Sequence, residues 1–302
     1  MTATPSNNST AATATATSTG TGLARATAAE FAKVFSLTSW WLLALIMLVY
    51  VGMTAAALAF FFSDLGAQLT SVGSGAPAAQ LDAVDAATLV YSSVTAVGLV
   101  IPLLFGALLA TTEYRHHTLT PTVLAQPRRG IVLAGKGVVA TLMGALYGVA
   151  GLIGSVGFGA PVLAALGEPT ALGEPEVTAV LLRTVLATAL WSLIGLGFGA
   201  LLTSQIAAIV IVLAFTQFVE PILRVVASVW EWSAALGRFL PGSATDALVG
   251  AGILSSLGAL DPSAPSAAVD ALLWWQGGLV LAALVTVLLL AASLTTMRRD
   301  VE

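Results

Sequence analysis

Apolar residues occur in long unbroken blocks separated by short polar stretches, a pattern of buried or membrane-crossing helices rather than of half-exposed ones. Six blocks reach the ~20 residues that a helix needs to cross a hydrocarbon core. They are Trp40–Phe62, Ala87–Ala110, Ile131–Phe158, Val177–Leu202, Ile206–Val226 and Ala271–Thr295. Ala247 to Leu260 is also apolar but short for a span, and it reads as an outer-surface or re-entrant helix before the last span. Met1 to Gly22 is built of Thr, Ala, Ser and Asn with no apolar period, which predicts a disordered tail over residues 1–22. From Leu23 to Thr38 the pattern becomes amphipathic: Leu23, Thr27, Phe31, Val34 and Phe35 share one helical face, away from Arg25, Lys33 and Ser36. That suits a helix lying in the cytoplasmic interface, or a short solvent-facing extension of the first span. The expectation is an all-α integral membrane protein, with residues 23–302 forming one six-span domain.

Composition agrees. Of 302 residues, 58% are hydrophobic and 9% charged, against about 25% charged in a soluble domain. So few charges leave too little water-facing surface, and lipid must take the place of water around most of the chain. The sidedness of the charges gives the orientation. With the N terminus inside, Arg25, Lys33, Arg115, Arg128, Arg129, Lys136, Arg298 and Arg299 face the cytoplasm, and only Arg183, Arg224 and Arg238 fall in or near the outer half. An eight-to-three split of this sign is what the positive-inside rule requires, so both termini are expected inside. Trp40 and Trp41 mark the inner boundary, and Tyr91, Trp230, Trp232, Trp274 and Trp275 the outer one.

The chain holds little that does covalent chemistry. It has no cysteine and two adjacent histidines, His116 and His117, which point about 100° apart on a helix and share a metal poorly. No metalloprotease or nucleophile-elbow motif is present. Gly130 to Gly137 nearly spells a phosphate loop, but Gly137 lacks the hydroxyl that Mg²⁺ needs and the stretch opens a membrane span. Lys136 is instead expected to snorkel to the interface. No catalytic residue, metal site, bound cofactor or nucleic-acid surface is expected.

Two groups of charges stand out. The polar loop 111–130 carries Glu113, Arg115, Arg128 and Arg129, and its Thr118 to Leu124 part places Leu119, Val123 and Leu124 as apolar knobs. Such a mixed helix suits docking in a groove of another protein, and its basic residues equally suit topology control and anionic headgroups. In the fifth span, Glu220 and Arg224 stand four apart in the favourable acid-first order, beside Pro221, which bends or breaks the helix. They read as a structural ion pair that makes the charges tolerable in a span, or as an outer gate.

The run Glu113, Arg115, Thr118-Leu119, Pro127-Arg128 and Lys136 resembles the signature that follows the second span of type-2 ATP-binding-cassette permeases. The six-span plan with an interfacial N-terminal helix, Phe218-Val-Glu-Pro221 and Leu240-Pro-Gly-Ser243 also resemble that family. His117 stands where many members have Gly, so the turn before Thr118 departs from the pattern. The resemblance implies that loop 111–130 is a coupling helix, with Glu113, Arg115, Thr118, Leu119 and Arg128 touching a separately encoded ATPase. It further implies that ATP and Mg²⁺ bind on that ATPase, and that a second permease copy, the same or related, completes an exporter of an amphipathic small molecule, lipid or peptide in a bacterial cell membrane. An ATPase-independent carrier or channel, or a membrane assembly factor, is the alternative. A carrier would usually show several ionisable groups inside its spans, and here only Glu220 and Arg224 qualify.

Overall fold

The computed structural model describes residues 8–63, 82–115, 129–202, 204–229, 236–252 and 272–295. Every regular element among them is helical. In chain order these are α1 (Asn8–Ser36), α2 (Ser39–Phe61), α3 (Ala83–Tyr91), α4 (Ser93–Val97), α5 (Val100–Arg115), α6 (Arg129–Ala165), α7 (Pro175–Leu201), α8 (Gln205–Ala214), α9 (Glu220–Val229), α10 (Pro241–Val249) and α11 (Trp274–Leu294). A five-residue π-helical turn, Phe215–Val219, joins α8 to α9. Six helical stretches are long and apolar enough to cross a membrane: Ser39–Phe61, Ala83–Thr112, Gly130–Ala165, Pro175–Leu201, Gln205–Arg224 and Trp274–Leu294. They match the six predicted blocks in number and order, and the chain is a multi-pass membrane protein.

The bundle is organised around α6 and α7, which pack on each other, with α2 and α1 against α6 and with α5 and α11 against α7. Spans 2 and 4 approach closely because small residues face each other. A methyl added at Gly106 would fall on the Ser192 carbonyl, and one at Gly195 on that of Leu103. One core cluster forms around Met47, Phe105, Met143 and Tyr147, and another around Trp191, Ile194, Leu248 and Leu281. Span 5 is the least covered, with 17% of its most apolar stretch buried. Its large apolar side chains Ile206, Val210, Phe218 and Ile222 are exposed, as lipid-facing residues must be.

Four details depart from the sequence pattern. The second span is not one helix: it breaks at Ser92 and again at Gly98. Ser92 donates its hydroxyl to the Leu89 carbonyl and Thr95 to that of Ser92, at 2.9 Å each, side-chain bonds that compete with the helical ladder. Pro102 then sits in the first turn of α5, where a missing N–H does no harm. Residues 8–22 of the expected tail are helical and run on into the amphipathic part of α1. On α1 the face turned inward is centred on Glu30 and Val34, while Phe35, expected on that face, is exposed. The short helix before the last span begins earlier than Ala247, with Pro241 at its first turn, and stops at Val249 because Gly250 adopts the left-handed conformation (φ 87°). Residues 253–260 of that expected helix lie outside the described residues.

Candidate functional site

Two polar clusters interrupt the apolar bundle. The first lies at the base of loop 111–130. Lys136, on the second turn of α6, is 3% exposed and does not snorkel. Its ammonium donates to Glu30 Oε2 of α1 at 2.9 Å and to the Leu109 carbonyl of α5 at 3.1 Å. Glu30 Oε1 accepts from Lys33 at 2.6 Å. An ammonium this deep needs a counter-charge, and α1, packed against α6, supplies it. Burial raises the Glu30 carboxyl, but Lys136 and Lys33 outweigh it and hold the group below its ordinary value of 4.5. The near-phosphate-loop stretch Gly130 to Gly137 is helical throughout, and beyond the first turn its amides serve the helix ladder.

Of the residues predicted to form the coupling loop, Thr118, Leu119 and Arg128 lie outside the described residues, together with His116 and His117. Glu113 and Arg115 fall on the last turn of α5, and only their backbone is described. Loop 111–130 therefore starts as a continuation of span 2 and ends by entering α6 at Arg129.

The second cluster lies where the last part of span 5 and α10 meet the middle of spans 2 and 4. Pro221 has no N–H for the Gln217 carbonyl, and the π-helical turn directly before Glu220 absorbs the mismatch. Glu220 is 4% exposed. The Arg224 guanidinium reaches Glu220 Oε1 at 3.4 Å, as the spacing predicts, and also Asp246 Oδ2 of α10 at 2.9 Å. Glu220 Oε1 further accepts from the Gly242 backbone N–H. Only glycine fits at 242, since a side chain there would meet Arg224 and Glu220. After α9 the chain doubles back, with Gly237 against Ala227 and Gly242 against Glu220 and Arg224, and α10 then runs the other way along α7 and α11. Trp191 of α7 donates its indole N–H to Thr245 at 2.8 Å and fixes α10 from the opposite side.

A cavity of about 310 Å³ opens beside this cluster. Its wall is formed by the broken part of span 2 (Thr95, Val97, Leu99), the π-helical turn (Thr216, Gln217) and the Glu220–Arg224–Asp246 group. Both the break in span 2 and the π-helical turn of span 5 border it. Sequence reasoning found Glu220 and Arg224 but missed Asp246, Gly242 and the partnership of Glu30 with Lys136. An acid inside an otherwise apolar stretch was the available signal for Asp246, and the Leu240-Pro-Gly-Ser run announced the turn that delivers it.

Comparison with protein-family models and with curated proteins finds no match to this chain.

Proposed function

We propose that the chain is the membrane subunit of a bacterial ATP-binding-cassette exporter, with both termini in the cytoplasm and loop 111–130 as the coupling helix. The observation that carries the reading is the buried Lys136–Glu30–Leu109 knot. It ties the interfacial helix α1 and spans 2 and 3 together at the root of the loop. A loop so rooted passes a push from a partner to three helices at once, which is what an ATPase-driven subunit needs. The charge sidedness of the sequence puts this end inside, and the motif resemblance adds the kind of partner. ATP binding would draw two ATPase subunits together, and their coupling contacts would bias the two permease copies between inward and outward arrangements. ATP and Mg²⁺ belong to the ATPase, and this chain supplies the path.

Copurification from detergent with a phosphate-loop ATPase, together with stimulation of its ATP hydrolysis, tests the reading. Alanine at Glu113 and Arg115 should weaken both. The opposite result, both unchanged, would remove loop 111–130 from the coupling role. A second reading, an ATPase-independent carrier, draws on the charged cavity beside Glu220 and Asp246. It predicts transport by the purified chain alone.

A further inference from the structure

Among the described residues, the cavity beside Glu220 holds more acid than its cation balances. Glu220 and Asp246 face it with Arg224 between them. The cations of neighbouring elements lie elsewhere: Arg183 of α7 sits over the Trp274 ring at 4.8 Å and Arg238 over the Phe239 ring at 5.1 Å. Neither lines the cavity, and neither do Asp82 and Asp85 at the start of α3. With both acids ionised the site carries one uncompensated negative charge, which is costly among apolar helices and is relieved by a proton or by a positive partner.

The remaining walls define what kind of partner. Val97, Leu99, Val100, Pro221 and Ala251 are apolar, and Thr95 and Gln217 add neutral polar groups. A metal ion would want several convergent ligands, and no group of three His, Cys, Asp or Glu side chains occurs among the described residues. About 310 Å³ lies at the small end of organic ligand sites. Mostly apolar walls with a few oriented polar groups are the usual make-up of such sites.

We infer that this cavity binds a small organic monocation, a protonated or quaternary amine whose nitrogen lies against Glu220 and Asp246 and whose apolar part lies against Val97, Leu99 and Val100. Gln217 and Thr95 are placed to orient it. The inference concerns equilibrium binding by this chain and holds whether or not an ATPase drives it.

The test is equilibrium binding of radiolabelled benzyltrimethylammonium to the full chain in phosphatidylcholine nanodiscs, with benzenesulfonate as an anion of similar size. Saturable binding of the cation, unaffected by the anion, is expected. Asp246→Asn and Glu220→Gln should each weaken it about tenfold, the loss of one of the two carboxylate charges facing the cation, while Arg183→Gln leaves it unchanged. Asp246 is the more exposed of the two acids, so Asp246→Asn carries the test if Glu220→Gln fails to fold. Absence of saturable binding by monodisperse protein, equal competition by benzenesulfonate, or an affinity that Asp246→Asn leaves unmoved would overturn the inference.

Discussion

The Glu30 carboxylate and the Lys136 ammonium lie 2.9 Å apart across 106 positions of sequence, and both are almost wholly buried. The pair joins a helix outside the six spans to the third of them. Removing one partner of a buried pair strands the other, at about 3–5 kcal/mol in comparable cases. Glu30→Gln should fall at the low end of that range, because the Leu109 carbonyl still accepts from Lys136. The double variant Glu30→Gln/Lys136→Met should cost less than the two single variants together. Thermal unfolding of the three in nanodiscs measures the coupling, and strict additivity would deny it.

The same pair predicts a pH profile. Lys136 and Lys33 hold the folded-state Glu30 carboxyl below its ordinary value of 4.5. A depressed carboxylate stabilises the fold fully above its unfolded value, and that contribution disappears as pH falls through the lower, folded value. The wild-type melting temperature should therefore exceed that of Glu30→Gln by a constant margin down to about pH 5. Below about pH 4.5 the margin should shrink. A margin independent of pH to below about pH 3 would show that the Glu30 carboxyl is not held below its ordinary value in the fold.

The close approach of spans 2 and 4 makes glycine substitutions unequal. Gly106→Val would push into the Ser192 carbonyl of the facing helix, and overpacking of this kind costs about 1–3 kcal/mol or more. Gly157 on α6 is exposed, and a methyl added there would meet no atom within 4 Å. Gly157→Ala should leave the melting temperature unchanged or raise it slightly, by helix propensity. Equal losses from both changes would contradict the packing.

Six spans were legible in the sequence because lipid imposes a strong, local signal: a run of apolar residues of fixed length. The breaks inside span 2 were not, since Ser92 and Thr95 are apolar enough in context to continue the run, and their effect depends on which carbonyls they meet. Lys136 shows the same limit. A lysine near a span end reads as a snorkelling residue until a carboxylate from a distant helix arrives beside it. Glu220 and Arg224 were readable because they are four residues apart, whereas Asp246 joins them only through the chain reversal at Gly242.

That reversal gives a further prediction. Gly242→Ala inserts a methyl where Arg224 and Glu220 already lie, so α10 should be released from span 5. Trypsin cleavage after Arg238 should become faster, and the tryptophan fluorescence should shift, since Trp191 is tied to Thr245. Unchanged cleavage and fluorescence would mean that Gly242 is not a contact point.

The coupling reading is tested most directly by a single reactive thiol. The chain has no cysteine, so Thr118→Cys carries one, in the loop rooted by Lys136. With this variant in native membranes, a bifunctional thiol–amine crosslinker should capture a phosphate-loop ATPase, and a membrane-impermeant thiol reagent should label the thiol only when the cytoplasmic face is open to it. Labelling from the outer face of intact cells, or crosslinking that never captures an ATPase, would contradict the account.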